Sequence, residues 1–291
     1  MSDSPPRILF QLDVDEQPST FDAVVAIDAG VDHLVTRGGV TVTAVRPLIH
    51  GAMFTRGGDD LKRTAIFIGG SDVVAAEHLM EAAASTFFGP VRVSVMLDAN
   101  GCNTTAAAAV VTASKHVDLA ESHAVVLGGT GPVGRRAAEM LAMRGCRVTV
   151  TSRSQSRADQ TARTIGGRHP GSNIDGAAMN SPSDPCRVCE GASIILGCGA
   201  AGIELISESS LKSCPSLRVA IDLNAVPPVG LGGISVTDKA VNLTDTLVGY
   251  GAIGVGGLKM KTHRQAIQRL FETNDAVLDV AEILKIAAEI T

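Results

Sequence analysis

Aromatic side chains are scarce in this chain: its 291 residues include no Trp and a single Tyr, and aromatic residues make up only 3%. Proteins that bind single-stranded nucleic acid stack bases on such side chains, and nucleic-acid binders in general carry a basic face. This chain instead has a formal net charge of -5. We therefore expect no nucleic-acid partner.

Long apolar runs are also lacking. No stretch of the sequence reaches the roughly 18 consecutive apolar residues of a membrane-spanning helix. Residues 1–6 are polar and contain no apolar segment of the kind that exports or anchors a chain. The sequence thus predicts a soluble, cytoplasmic protein with no membrane partner.

The six cysteines, at positions 102, 146, 186, 189, 198 and 214, are scattered. In a cytoplasmic protein they are expected to be reduced thiols. Cys186 and Cys189 have the spacing of half a zinc site or of a redox pair, but no second Cys or His pair lies at a suitable spacing. We expect no metal site, and the role of this pair stays open.

Apolar residues make up 45% of the chain, and apolar runs alternate with helical patterns. This alternation predicts an α/β protein with parallel sheets. Predicted strands cover residues 8–12, 23–27, 65–68, 91–97, 124–127, 147–151, 193–196 and 218–223, and predicted helices cover 73–88, 104–116, 132–144, 155–165, 260–272 and 275–290. Residues 168–184, rich in Gly, Pro, Asn and Ser, are expected to be the least ordered. The expected architecture is a smaller N-terminal α/β domain (1–105) and a Rossmann-type parallel-sheet domain (106–274), with a cleft between them. The C-terminal helix (275–291) is expected to pack back on the first domain.

A glycine-rich loop lies between a predicted strand and a predicted amphipathic helix: Gly129-Thr130-Gly131-Pro132-Val133-Gly134. In a dinucleotide-binding loop the first glycine permits the tight turn, the second lets the backbone approach the pyrophosphate, and the third lets the helix lie close to the strand. Pro suits the first turn of a helix, and the amides at that helix end attract an anion. The loop therefore predicts a nicotinamide dinucleotide cofactor.

The next predicted strand ends at Thr151-Ser152-Arg153-Ser154. An enzyme that uses NAD usually places Asp or Glu about 20 residues past the loop, on the ribose 2′-hydroxyl. Here the first acid, Asp159, lies well inside the following helix. The guanidinium of Arg153 is suited to a 2′-phosphate, and Ser152 and Arg157 supply further donors. NADP is the predicted cofactor, and the strictness of this preference stays open.

Several longer motifs carry no generic fold pattern. They are Phe10-Gln11-Leu12-Asp13-Val14-Asp15, Pro18-Ser19-Thr20-Phe21-Asp22, Thr55-Arg56-Gly57-Gly58, Thr64-Ala65-Ile66-Phe67-Ile68-Gly69-Gly70, Phe87-Phe88-Gly89-Pro90, Met96-Leu97-Asp98-Ala99-Asn100-Gly101-Cys102-Asn103-Thr104-Thr105, Asn224 with Pro227-Pro228, and Gly254-Val255-Gly256-Gly257-Leu258-Lys259. In these motifs and in the glycine loop, the chain resembles the NADP-dependent methylene-tetrahydromethanopterin dehydrogenases of one-carbon metabolism, nearly from end to end.

The resemblance implies a reversible oxidation of a methylene-pterin to its methenyl form, with NADP accepting the hydride, in a homo-oligomer. Lys259 matches the lysine that points into the family's active-site cleft and is the predicted catalytic residue. Phe21, Asp22, Asn103 and Thr104 match positions expected around the pterin, and Asn224 is assigned to the cofactor. Lys261 and His263 are expected at the surface.

Two alternatives stay open. Folate-linked dehydrogenase–cyclohydrolases depend on a Tyr-x-x-x-Lys pair, whereas the single Tyr250 is followed four residues later by Gly254. We therefore expect dehydrogenase activity without cyclohydrolase activity, and methylene-tetrahydrofolate stays open as an alternative substrate. A catalytically silent NADP- or pterin-binding protein is the second alternative, because the loop predicts binding rather than turnover. The number of subunits and the physiological direction stay open as well.

Overall fold

The computed structural model describes residues 4–180 and 184–291, apart from the side chain of Cys186. The chain divides into two compact units. Unit 1 contains the residues up to Thr104 together with Met260–Ile290, and unit 2 contains Thr105–Lys259. Residues 260–274 therefore belong to unit 1 rather than to the expected Rossmann domain. The reason is that the second half of the helix that carries them packs on unit 1, where the Gln268 side chain donates to the Ala29 carbonyl at 3.4 Å.

The helices and strands follow in chain order: β1 (Ile8–Asp13), α1 (Thr20–Asp28), β2 (His33–Arg37), α2 (Val45–Met53), β3 (Thr64–Gly69), α3 (Val73–Thr86), β4 (Ser94–Leu97), α4 (Cys102–Ala113), β5 (His123–Leu127), α5 (Pro132–Met143), β6 (Arg147–Ser152), α6 (Gln155–Arg168), β7 (Ile174–Ala178), α7 (Asp184–Val188), β8 (Ile194–Gly197), α8 (Glu208–Lys212), β9 (Val219–Asp222), β10 (Lys239–Asn242), β11 (Val248–Tyr250), α9 (Ala252–Arg269), β12 (Val277–Leu278) and α10 (Val280–Glu289). Short 3₁₀ helices precede β3 and α4. Among the described residues, no helix is both long enough and apolar enough to cross a membrane.

Unit 1 is built on a five-stranded sheet with the order β12-β4-β3-β1-β2. Its neighbouring strands all pair in parallel. All six residues of the central strand β3 are buried, as expected for the continuous apolar run of a strand that is covered on both faces. The carboxyl ends of β1, β3 and β4 meet at one edge of this sheet, which is where parallel sheets bind their ligands.

The predicted strand at residues 23–27 is wrong, because these residues lie in helix α1. The Ser19 hydroxyl accepts a hydrogen bond from the Asp22 amide at 3.2 Å and so caps the helix. Val25 and Ala26 are buried while Val24 and Ile27 are exposed. The cap and this one-sided burial outweigh the preference of Val and Ile for strands.

Unit 2 is built on a seven-stranded sheet with the order β10-β11-β9-β8-β5-β6-β7. All pairs are parallel except β10 with β11. From β5 the chain builds outward through β6 and β7, and then returns to build β8 and β9 on the other side. This reversal is the topological switch point of a Rossmann-type sheet, and the loops after β5 and β8 border it. The predicted α/β fold with a Rossmann-type sheet is confirmed.

The stretch expected to be least ordered contains strand β7, which pairs with β6. Gly176 explains why a glycine-rich segment forms a strand here. A Cβ at Gly176 would lie 2.5 Å from the Asp159 amide nitrogen, so only glycine lets β7 pass this close to α6. Residues 181–183 of the same stretch lie outside the described residues.

Candidate active site

The turn that follows β5 depends on two glycines for different reasons. Gly128 adopts the left-handed region, with a φ of +68°, and a Cβ there would lie 2.7 Å from Gly199 Cα. At Gly129 a Cβ would lie 2.9 Å from both the Val126 carbonyl oxygen and Val150 Cγ1. The expectation that Gly129 makes the turn is corrected: Gly128 turns the chain, and Gly129 lets the loop lie against β5 and β6.

The two glycines that flank the first turn of α5 also differ. A Cβ at Gly134 would lie 2.7 Å from Gly129 Cα, so this glycine lets the helix approach the loop, as the spacing predicts. Gly131 is the N-cap of α5, with a φ of -77°. A Cβ added at Gly131 would lie 3.6 Å from the Gly128 carbonyl oxygen and 3.9 Å from the Cys198 carbonyl oxygen, which are ordinary contact distances. Packing within the protein does not require glycine at 131, whereas the close approach of a pyrophosphate does.

The amino end of α5 supplies the donors for such an anion. The amides of Val133 and Gly134 lie in the first turn, where no intrahelical acceptor exists. The first amide bonded within the helix is that of Arg135, which donates to the Gly131 carbonyl at 2.9 Å. Pro132 has no N–H to leave unsatisfied. The helix dipole adds attraction for negative charge, so these residues fit a dinucleotide.

The tip of β6 has the geometry that the sequence predicts. The strand ends at Ser152, and Arg153 follows it with an exposed side chain. Helix α6 begins at Gln155, which places exposed Arg157 in its first turn. Asp159 accepts a hydrogen bond from the Gln155 side chain at 2.7 Å. The charged side chain between β6 and α6 is therefore that of Arg153, which is a cation.

A cavity of about 280 Å³ lies beside the phosphate loop, between α5 and α6. Its lining includes Thr130, Arg135, Glu139, Arg157, Thr161 and Arg168. The structure thus brings the predicted cofactor residues Thr130 and Arg157 to one cavity. Arg135, which sequence analysis missed, lies with them, and its position directly after the last loop glycine was the available indication.

Asn224 lies in the loop after β9 and is buried. Its side-chain oxygen accepts from the Val226 amide at 3.0 Å, and its Nδ2 donates to the Pro228 carbonyl at 3.2 Å. Its backbone amide donates to Asp222 Oδ1 at 3.0 Å. Burial raises the pKa of Asp222, while backbone hydrogen bonds from Leu231, Asn224 and Gly230 oppose the rise. The geometry gives Asn224 the role of shaping this loop.

The two described cysteines for which a pKa shift is resolved both have a raised pKa, so neither is an activated thiol. Burial, and then the charge of Asp222, raises the pKa of Cys198 to about 12, and burial raises that of Cys146 to about 11. Cys189 is buried in the apolar core of unit 2, while the side chain of Cys186 lies outside the description. Within the described part of the chain, no cluster of three His, Cys, Asp or Glu residues is arranged to hold a metal ion.

In unit 1, the side chains of Asn103 and Thr104 are fully buried. Asn103 Nδ2 donates to the Leu97 carbonyl at 2.7 Å and to Asp279 Oδ1 at 2.9 Å. Thr104 Oγ1 donates to Asp98 Oδ2 at 2.6 Å. These bonds brace the start of α4 against the end of β4. The side chains of these two residues, which were predicted to contact the pterin, are thus buried and bonded to other protein groups.

Phe21 and Asp22 lie in the first turn of α1 and differ in burial. The ring of Phe21 is 49% exposed, whereas the side chain of Asp22 is only 11% exposed. Of the predicted pterin residues, Phe21 alone therefore offers a large open surface.

His263 was expected at the surface, and this prediction is wrong. The side chain is fully buried, and its ring stacks on Phe67 with centroids 5.6 Å apart and planes inclined by 20°. Asp22 Oδ1 lies 3.9 Å from Nε2, and Asp98 Oδ2 lies 3.9 Å from Nδ1. An indication was present in the sequence, since Ala266, Ile267 and Leu270 continue an apolar stripe of α9 at helical spacing.

Lys259 and Lys261 lie on the same helix. Lys261 is exposed, as predicted, whereas Lys259 is half-buried. Lys259 precedes His263 by four residues, a spacing that places both on one face of an α-helix.

Tyr250 is paired with a partner in unit 2. Its hydroxyl lies 2.8 Å from His116 Nε2. Burial raises the pKa of Tyr250; burial, and then the charge of Lys115, lowers the pKa of His116. Both groups are therefore neutral near pH 7, and the residue four positions after Tyr250 is Gly254. This tyrosine does not form the Tyr-x-x-x-Lys pair of a cyclohydrolase.

Comparison with known proteins extends these observations to the whole chain. Residues 20–100 match the family model described as "Methylene-tetrahydromethanopterin dehydrogenase, N-terminal". The bifunctional protein MdtA of Methylorubrum extorquens is 41% identical over 285 residues, which cover 97% of this chain and 98% of that protein. The NAD(P)-dependent methylenetetrahydromethanopterin dehydrogenase of the same organism is 34% identical over 294 residues, with the same coverage of both chains.

Among solved structures, the ligand-free 5-ketofructose reductase of Gluconobacter sp. strain CHM43 aligns over 99% of both chains with a TM-score of 0.55 and 15% identity. At that identity the match concerns the fold alone. The two Methylorubrum proteins, by contrast, are 41% and 34% identical over 97% of this chain. This chain therefore belongs to the methylene-tetrahydromethanopterin dehydrogenase family.

Proposed function

We propose that this chain is an NADP-dependent methylene-tetrahydromethanopterin dehydrogenase, which reversibly oxidises methylene-tetrahydromethanopterin to the methenyl form. The observation that carries the proposal is its end-to-end likeness to a relative named for this reaction, 34% identical over 97% of the chain. The glycine loop adds the physical support, because Gly131 has no packing reason to be glycine and leaves the amino end of α5 open to a pyrophosphate.

Unit 2 holds the cofactor in this proposal. NADP, when bound, supplies the nicotinamide ring that accepts the hydride. In the loop from Gly129 to Gly134, the backbone amides of Val133 and Gly134 bind the pyrophosphate, because the amides of Gly129 and Gly131 already donate to the carbonyls of Thr151 and Gly128. Ser152, Arg153 and Arg157 bind the 2′-phosphate, for which the planar guanidinium groups are suited. Asn224 acts indirectly, through the loop that its side chain closes.

Unit 1 holds the pterin. The methylene carbon of the substrate lies between two nitrogens, whose lone pairs spread the positive charge that remains after hydride loss. No proton moves in that step, so the residues need to position the pterin rather than exchange protons with it. Phe21 offers an exposed ring for stacking, and Asp22 a carboxylate beside it. Asn103 and Thr104 support that surface from behind, and Lys259 contacts the substrate as the predicted catalytic residue.

One absorbance assay tests the proposal. Purified protein is mixed with NADP and methylene-tetrahydromethanopterin, and the formation of reduced nicotinamide is followed against a mixture without the pterin. We expect steady turnover. Parallel mixtures with NAD and with methylene-tetrahydrofolate measure the two preferences, and NADP is expected to exceed NAD. Tight binding of NADP and pterin without turnover would refute the dehydrogenase and leave a binding protein.

We also infer that the enzyme is a homo-oligomer, as the family resemblance implies. Light scattering of the purified chain tests this point independently of activity, and a mass equal to that of one chain, 29.9 kDa, would contradict it.

A further inference from the structure

A buried polar cluster lies near the carboxyl edge of the sheet in unit 1. We name it the His263 cluster, and it consists of Asp22, Asp98 and His263. Three elements supply it: α1, the segment that follows β4, and α9. Asp98 and His263 are fully buried, and the Asp22 side chain is 11% exposed. Removing carboxylates and an imidazole from water is costly, and groups buried together in this way are enriched at functional sites.

One side of the His263 cluster is held rigidly. Asp98 Oδ1 accepts from the amides of Asn103 and Thr104 at 2.9 and 3.0 Å. Asp98 Oδ2 accepts from Thr104 Oγ1 at 2.6 Å. With three donors, this carboxylate is anchored to the start of α4. It therefore presents a fixed charge to the imidazole, 3.9 Å from Nδ1 of His263.

The imidazole is itself fixed in plane. It stacks on the ring of Phe67, with a centroid separation of 5.6 Å and planes inclined by 20°. Phe67 belongs to β3, all of whose residues are buried, so its ring has no room to move aside. Each ring nitrogen of His263 thus lies 3.9 Å from a carboxylate oxygen, Nδ1 from the anchored Asp98 and Nε2 from Asp22.

Asp22 is the member of the cluster that has access to solvent. Its carboxylate lies 3.9 Å from Nε2 of His263, and Phe21, the neighbouring residue on α1, is 49% exposed. A pterin ring carries adjacent N–H donors on its pyrimidine edge, and a carboxylate can accept hydrogen bonds from both. A carboxylate that is already held in the right orientation loses less conformational entropy on binding than a mobile carboxylate does.

We propose that His263 is a positioning residue that fixes the Asp22 carboxylate for hydrogen bonding to the N–H donors of the pterin. The inference rests on the proposed function and deepens it, since it assigns the recognition of the pterin to one carboxylate and its support to a buried imidazole. Because this contact belongs to binding, its loss raises KM for the pterin and leaves kcat nearly unchanged.

The test is a double-mutant cycle in the absorbance assay. His263→Phe keeps an aromatic ring on Phe67 and removes both nitrogens, while Asp22→Asn removes the charge that His263 is proposed to hold. Each single change is expected to raise KM for the pterin by about tenfold to a hundredfold, the range for one hydrogen bond to a charged group. KM for NADP is expected to stay unchanged. The double variant should lose no more than Asp22→Asn alone, because both changes act on the same contact.

Lys261→Met is the matched control, since Lys261 lies on the same helix with an exposed side chain, and it should leave both KM values unchanged. Losses that multiply in the double variant, or an unchanged KM for the pterin in His263→Phe, would overturn the inference. Absence of turnover in the wild-type protein would instead remove the proposed function, so the two failures are distinguishable.

A second measurement keeps the inference testable if the His263 variants do not fold. The seven histidines are labelled with ¹⁵N, and the ring signal that shifts in Asp22→Asn identifies the imidazole beside that carboxylate. Saturating the wild-type protein with tetrahydromethanopterin should shift the same signal. A signal that stays in place at saturation would contradict the proposed link between His263 and the pterin.

Discussion

Replacing Gly131 by Ala should separate cofactor binding from stability. An alanine Cβ at this position meets the Gly128 and Cys198 carbonyl oxygens at 3.6 and 3.9 Å, which is ordinary contact distance. The φ of -77° is open to any residue. Gly is a somewhat better N-cap than Ala, so we expect the free energy of unfolding to fall by no more than about 1 kcal/mol. The methyl group would, however, occupy the space into which a pyrophosphate must come.

The matched change, Gly134→Ala, should instead lower the stability of the protein. Its Cβ would lie 2.7 Å from Gly129 Cα, and a backbone atom cannot rotate away. Forcing an extra methyl group into such a contact costs about 1–3 kcal/mol. For a unit of this size that corresponds to a fall in Tm of roughly 2–12 °C.

Thermal unfolding of the two variants without ligand measures the stability difference, and calorimetric titration with NADP measures binding. In Gly131→Ala we expect Kd for NADP to rise about tenfold to a hundredfold, because hydrogen bonds from backbone amides to a charged phosphate are lost. A Gly131→Ala protein that binds NADP like the wild type, or that is destabilised as much as Gly134→Ala, would refute the distinction between the two glycines.

Three further changes test other parts of the molecule. Arg153→Asp should weaken NADP about tenfold to a hundredfold while NAD binding is kept; titrations with both cofactors measure this, and unchanged NADP affinity would place the 2′-phosphate elsewhere. Lys259→Met should lower turnover by about 10²-fold without loss of NADP affinity, whereas Lys261→Met should do little; equal small effects would contradict the catalytic role. Glu139→Gln should lower the free energy of unfolding by about 3–5 kcal/mol, since it removes the buried charge that faces Arg136 at 3.8 Å; an unchanged midpoint of urea unfolding would refute this.

The cofactor side of the protein could be predicted from the sequence because its determinants are local. The change from strand to helix periodicity, the glycine spacing and the first residue after the next strand all lie within short segments. Strand β6 ends at Ser152, so Arg153 follows the strand tip as predicted. What the spacing could not show is which glycine turns the chain, because the positive φ of Gly128 and its close approach to Gly199 arise only in the folded loop.

The substrate side depends on contacts between distant segments, and the sequence alone does not show them. Lys261 and His263 are two residues apart on α9, yet one is exposed and the other fully buried. The difference arises from the packing of α9 against Phe67, nearly 200 positions earlier in the chain. The Val-rich run of α1 was mistaken for a strand for a related reason, since residues 23–27 carry strand-forming side chains but follow the Ser19 cap.

The motifs in which the sequence resembles the family contain both buried and exposed residues, and the resemblance alone does not tell the two apart. Asp98, Asn103 and Thr104 belong to one long motif and are all buried, and Asp98 accepts hydrogen bonds from the Asn103 amide and the Thr104 hydroxyl. Phe21, in an earlier motif, is about half exposed, and Asp22 beside it keeps a little access to solvent. A buried side chain acts on a ligand through its neighbours, whereas an exposed one can bind directly. Contact with the pterin should therefore be sought at α1, and changes at Asn103 or Thr104 should be interpreted as changes in what holds Asp98, and through His263 in what holds Asp22.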